Sequence, residues 1–284
     1  IWDSGYMTAE QMESDEMDEP HPYQGVVNWL QPGANRNFYP LGDLDFSPGA
    51  IDEIQNAGAA QLVNEYGWIW LWRNGIPSKL TVKAYEHYLG KNSSPEQNRE
   101  FQAYWMQLET EWLRSNPSIA GVLAFCHLTN NYGYTGDWFV DNIKDLKPSP
   151  TLKWFKHAFA PVATYINLPD ERYLKMKEPH QSGSKLLFNL IGINNFSAPA
   201  NGNVVIRLID EQGIEVISLS QSVALAPFLR TDIPVSIDLP EKAGGYLLIA
   251  QFTSANNKPV ISRRYLKIGQ QPQYNYYTIN PDYQ

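Results

Sequence analysis

The sequence predicts two successive architectures: an α/β region to about residue 168, then an all-β sandwich over 184–270. Three observations carry this. Up to residue 168, short apolar runs alternate with stretches of helical periodicity, the pattern of strand–helix units on a parallel sheet. Beyond residue 184 come six or seven short β-rich segments separated by turn residues, the pattern of an antiparallel sandwich. Between them, 169–183 carries Pro169, Pro179 and Gly183 and reads as a linker. A chain of 284 residues is long enough for two domains, each with its own core.

Taken in order, 1-IWDSGYM-7 reads as a first strand, and a weaker second one ends at 17-MDEPHPY-23. Residues 24–48 are rich in Gly, Pro and Asn and read as a loop, and 49–58 as a short helix. A strand follows at 61–66. A helix is expected near 79–89, with Leu80, Ala84, Tyr85, Tyr88 and Leu89 on one side. The next has a start signal: Ser94 can cap, Pro95 suits the first turn, and Gln97 holds the capping-box position. Its Phe101, Tyr104, Trp105, Leu108 and Trp112 recur every three or four residues, a core-facing stripe. Then come a strand over 119–128, a polar aromatic loop over 129–139 and a helix near 150–161. In the second region the strands are 185–194, 203–210, 214–220, 233–239, 245–254 and 259–268. The tail, 271–284, is aromatic and without periodicity, and is expected along a surface. About four strand–helix units do not close a barrel. They make either a small open sheet or half of an eight-stranded barrel, and the exposed edges favour a missing partner half.

Composition narrows the function. With 22 basic against 30 acidic residues, net charge −8 and pI near 5.2, the chain lacks the basic patches that nucleic acid or an anionic membrane surface would reward. No apolar run reaches the ~18 residues of a membrane span. Cys126 is the one cysteine, so no intrachain disulfide forms and no zinc spacing exists; it reads as a small buried residue. The six acids within 10–19 lack the spacing and central Gly of an EF-hand loop and read as a solvated segment. No GxSxG, GxxxxGK or GxGxxG occurs. No metal or cofactor is expected. Aromatics reach 13% against 18% charged residues. Sugar rings pack their C–H faces on aromatic faces, so this balance leans towards carbohydrate, although aromatics also fill cores.

In βα folds the reactive groups sit at the carboxyl ends of strands. Glu65 ends 61-QLVNEYG-67, His21 and Tyr23 end the weaker strand, Asp3 lies in the first, and His127, Asn130 and Asn131 follow the last. These residues, with Trp138 from the loop, are the candidate site. Each has a plainer reading: Glu65 paired with Arg73, His21 and His127 as loop histidines, Trp138 as packing.

The segments 62-LVNEYGWIWLWRNG-75, 94-SPEQNREFQAYWMQLETEWLR-114, 119-IAGVLAFCHLTNN-131 and 152-LKWFKHAFAPV-162 resemble the C-terminal part of family 2-type glycoside hydrolases, the β-galactosidase and β-glucuronidase group. In that group a (β/α)8 barrel precedes a β-domain, which 185-KLLFNLIGINN-195 and 263-RRYLKI-268 resemble. The resemblance covers roughly residues 1–268. It implies that 1–168 is the second half of a TIM barrel, strands five to eight, followed by an immunoglobulin-like sandwich. It also implies a retaining β-glycosidase acting on an oligo- or polysaccharide, with Glu65 as nucleophile and Tyr23 orienting it. His21, His127, Asn130, Trp138 and Asp3 would bind substrate. The acid/base would lie before Ile1, in an N-terminal half of the same protein or a companion chain. Many relatives carry a Trp after the eighth strand; here 125-FCHLTNN-131 stands instead, so His127 or one of Tyr132, Tyr134 and Trp138 must substitute. The implied location is periplasmic, secreted or cell-surface. The rival expectation is a catalytically silent, carbohydrate-binding barrel with a structural sandwich.

Overall fold

In the computed structural model, the described residues are Met17, 60–117, 119–173, 178–254 and 258–280. They are mostly sheet, with nine strands and three α-helices. The strands expected at 1–7 and 17–23, the loop at 24–48 and the helix at 49–58 lie outside them, apart from Met17. The chain divides into two compact units that part between Phe155 and Lys156. No helix among the described residues is long and apolar enough to cross a membrane.

The first unit contains β1 (Gln61–Tyr66) and β2 (Ile119–Ala124), paired in parallel. Two helices separate them, α1 (Val82–Leu89) and α2 (Pro95–Arg114). Parallel neighbours require such a crossover. Among the described residues the parallel sheet consists of these two strands. The start of α2 forms as its sequence predicts: Gln97 N–H donates to Ser94 Oγ, and Ser94 N–H donates to the Gln97 amide oxygen, with Pro95 in the first turn. From Phe101 to Leu113 this helix is buried all round.

Helix side chains hold the irregular segment after β1. Gln102 and Tyr85 donate to the carbonyl of Ile69 at 2.9 and 2.7 Å, Thr81 to that of Trp70, Arg99 to that of Arg73 and Asn98 to that of Gly75. Backbone groups without a ladder partner thus find side-chain partners instead. Gly67 starts this segment at φ 91°, a backbone conformation that favours glycine.

The second unit holds the end of α3 (Pro150–Ala158) and two antiparallel sheets, in the orders β3-β4-β7 and β6-β5-β8-β9. The strands are β3 (Val162–Asn167), β4 (Lys185–Asn194), β5 (Ala200–Ile209), β6 (Glu215–Leu225), β7 (Arg230–Asp238), β8 (Gly244–Ser254) and β9 (Val260–Ile268). β4 pairs with β7 and β5 with β8, so the chain crosses between the sheets. Both sheets feed one core: Leu186, Phe188, Leu190, Val235 and Ile237 from one, Val204, Ile206, Leu208, Leu248 and Leu266 from the other. This is the packing of a β-sandwich. Alternation is clean in β7, where Ile233, Val235 and Ile237 are buried and Pro234, Ser236 and Asp238 are exposed. Pro234 is tolerable because β7 is an edge strand.

Two expectations are corrected. The stretch 162–167, assigned above to the α/β region, is strand β3 and pairs with β4, so the sandwich starts earlier than residue 184. A strand buried on both faces, from Val162 to Ile166, carries no alternation to betray it. The expected linker 169–183 is also no loose spacer in its described part. Glu171, 1% exposed, accepts from His180 at 2.8 Å and from the Lys267 N–H at 2.7 Å, tying the segment to β9.

Candidate functional site

The site is built from the carboxyl ends of β1 and β2 and the two segments that follow them. Tyr66 fixes the orientation of β1: it is fully buried, and its hydroxyl meets Thr110 Oγ1 of α2 at 2.6 Å. Successive side chains of a strand point to opposite faces. That alternation is interrupted at the end of β1: the pairing with β2 slips between Val63 and Tyr66, where the half-buried Glu65 sits.

Beyond β2 the Phe125 N–H donates to the Tyr66 carbonyl, and the Phe125–Cys126 peptide is cis. Cys126 is half-buried, with Sγ 3.6 Å from the Gly136 carbonyl. Burial first, then the negative charges of Asp137 and Glu65, push its thiol up from the ordinary cysteine value. A protonated thiol is a poor nucleophile.

The two post-strand segments are clamped together by Arg73 and Asp137. The guanidinium donates to the carboxylate from Nη2 at 2.6 Å and from Nε at 3.1 and 3.2 Å, and to the Thr129 carbonyl at 2.7 Å. Asp137 also accepts from the Thr129 and Phe139 N–H groups. Arg73 is thus committed to Asp137, not to Glu65. The pair lies 64 residues apart in the chain, and no local pattern announces it. Where the segments touch most closely, Gly136 lies so near Leu71 that a Cβ would meet its carbonyl oxygen at 2.0 Å. The tryptophans after Glu65 serve packing: Trp68 and Trp70 are buried, 5.0 Å apart between ring centroids.

Of the other sequence candidates, His127 is exposed, with its ring edge-on to Phe139 at 5.5 Å. Asn130 is exposed, and its side-chain oxygen accepts from Thr129. Trp138 is 2% exposed and edge-on to Phe155 at 5.4 Å, a packing position rather than a rim position. His21, Tyr23 and Asp3 lie outside the described residues.

The sequence matches no family model and no curated protein. Among solved structures, a β-D-mannosidase from Dictyoglomus thermophilum is 12% identical, covering 72% of this chain and 27% of its own, with a TM-score of 0.44. A β-glucuronidase from glycoside hydrolase family 2 is 14% identical over 37% of this chain and 11% of its own, at 0.29. A sporulation control protein from Bacillus subtilis is 11% identical over 39% of this chain and 49% of its own, at 0.27. The chain thus spans less than half the length of each. At these TM-scores the likenesses carry no activity across.

Proposed function

We propose that the chain is the C-terminal portion of a retaining β-glycosidase with Glu65 as its nucleophile, and that 1–168 and the sandwich reproduce the half-barrel and immunoglobulin-like domain of family 2-type enzymes. The observation that carries this reading is the strand end of β1. Tyr66 is anchored to α2, the half-buried Glu65 sits beside it at the strand end, and the glycine turn and the Arg73–Asp137 clamp hold the segments that follow. A nucleophile needs such fixed aim. The sequence resemblance supplies the reaction class.

In that reaction Glu65 attacks the anomeric carbon as the bond to the leaving oxygen breaks, and a second carboxylic acid protonates that oxygen. The same group then deprotonates a water, which releases the sugar from Glu65. The two carboxyl groups must stand ~5–5.5 Å apart. Asp137 is spent on Arg73, and the resemblance implies that the acid/base lies in an N-terminal half or companion chain. His21, Tyr23 and Asp3 from the sixth and fifth strands, with His127 and Asn130, would surround the sugar. Trp138, in its buried position, would support the loop. An extracytoplasmic location would suit a polymeric substrate.

The test is kinetic. In the full protein, Glu65→Gln should lower kcat on aryl β-glycosides by roughly three orders of magnitude or more, with circular dichroism unchanged. A variant retaining most of the activity would sink the assignment. Sugar binding by the wild type with no turnover on any glycoside would favour the silent binding barrel instead.

A further inference from the structure

The loop after β2 displays two tyrosines in water, and its backbone gives them no room to retreat. Tyr132 is 57% and Tyr134 65% exposed. Three tethers on this stretch come from the segment after β1. The Trp72 indole donates to the Gly133 carbonyl at 3.0 Å, the Arg73 N–H donates to the Asn131 amide oxygen at 3.1 Å, and the Ser78 hydroxyl donates to the Tyr134 carbonyl at 2.8 Å. Within the loop, Gly133 N–H reaches the Asn130 carbonyl at 3.4 Å. Tyr132 takes φ 66°, a left-handed conformation disfavoured for a residue with a Cβ. Its ring stands edge-on to Trp72 at 5.3 Å, and the Lys79 ammonium lies 5.5 Å from the Tyr134 ring centre.

Folding gains from an aromatic ring when the ring is buried. A loop fixed by three side-chain bonds, in a disfavoured backbone conformation, that leaves two rings in water does the reverse. Such a tethered, ring-displaying loop is a candidate ligand surface. Trp138, the larger ring of the same loop, cannot serve, because it is inside.

We propose that Tyr132 and Tyr134 form an aromatic platform for sugar units beyond the one attacked by Glu65, so that the substrate is a carbohydrate chain rather than a small glycoside. This rests on the carbohydrate reading above and adds the substrate's length to it. The C–H faces of successive sugar rings pack on the phenol faces, while the exposed Asn130 amide and the Lys79 ammonium offer donors to their hydroxyls. Trp72 and Ser78 hold the platform to the segment that follows β1.

Affinity electrophoresis of the full protein tests this, with Glu65→Gln as parent so that the polymer in the gel survives. The probes are soluble glucomannan, xylan, hydroxyethyl cellulose and laminarin. At least one should retard the parent, and adding Tyr132→Ala with Tyr134→Ala should weaken that binding roughly ten-fold or more. Adding Tyr132→Phe with Tyr134→Phe, which keeps the rings, should preserve it. Tyr277→Ala, in the other unit, should change nothing. If the double alanine variant unfolds, Tyr134→Ala alone carries the same expectation. Failure of every polymer to retard the parent, or alanine variants binding as the parent does, would overturn the platform. Hydrolysis lost in Glu65→Gln would then still support the nucleophile, since the two readings are measured separately.

Discussion

The guanidinium of Arg73 and the carboxylate of Asp137 meet at 2.6 Å, with side-chain exposures of 10% and 0%, across 64 residues of chain. One charge pair thereby holds the segment after β1 against the loop after β2. Removing one partner of a buried pair strands the other charge away from water. Asp137→Ala should therefore destabilise the first unit by about 3–5 kcal/mol. Replacing both residues together, as in Arg73→Met with Asp137→Leu, should recover much of that loss. All nine tryptophans precede residue 156, so urea unfolding followed by tryptophan fluorescence reports this unit selectively. A loss below about 1 kcal/mol in Asp137→Ala would show that the clamp does not hold the unit together.

Glu109 of α2 is 1% exposed, and its two carboxylate oxygens are buried. Burial pushes its pKa up to about 8, against a smaller downward pull from the Trp105 indole. The folded state thus holds a proton that the unfolded chain releases near its ordinary value of ~4.3. Its stability contribution is full below that value and is lost as pH rises towards 8, by about 1.4 kcal/mol per pH unit. Tryptophan-detected melting across this window should show the fall, and Glu109→Gln should flatten it and raise Tm at pH 8. A parent and variant with parallel pH profiles would refute the account.

His157 behaves in the opposite sense in the second unit. Burial, and then the charges of Lys156 and Arg263, push its pKa down to about 4, while its Nδ1 accepts from the Ile261 N–H at 3.3 Å. The folded state keeps the ring neutral where the unfolded chain, at ~6.5, takes up a proton. Stability is therefore present above pH ~6.5 and is lost as pH falls towards 4. Hydrogen–deuterium exchange of the β9 amides, Ile261 among them, read by mass spectrometry, should record the loss. His157→Gln should lessen the slope; an unchanged slope would assign the acid sensitivity to other groups.

The elements most legible in the sequence were those whose cause is local. Ser94, Pro95 and Gln97 announce the start of α2 because a capping box needs only neighbours. The strands of the sandwich were readable where one face is wet, as in β7. β3 was not, because both its faces are covered. Its upper face joins Ile191, Ile193 and Val260 in a second small core that only the folded chain defines. At the candidate site, the strand-end position of Glu65 follows from its neighbours. The Arg73–Asp137 clamp, the buried Trp138 and the outward Tyr132 and Tyr134 depend on contacts between segments that sequence periodicity does not report.

The anchoring of Tyr66 has a consequence for the variation this strand end can bear. Its bond to Thr110 makes the tyrosine part of the scaffold, and exchanging it reaches into α2. Exchanging Arg73 or Asp137 instead reaches into the loop after β2. The end of one short strand is thus coupled to two distant stretches of chain, and a change at either anchor is felt well beyond the residue that carries it.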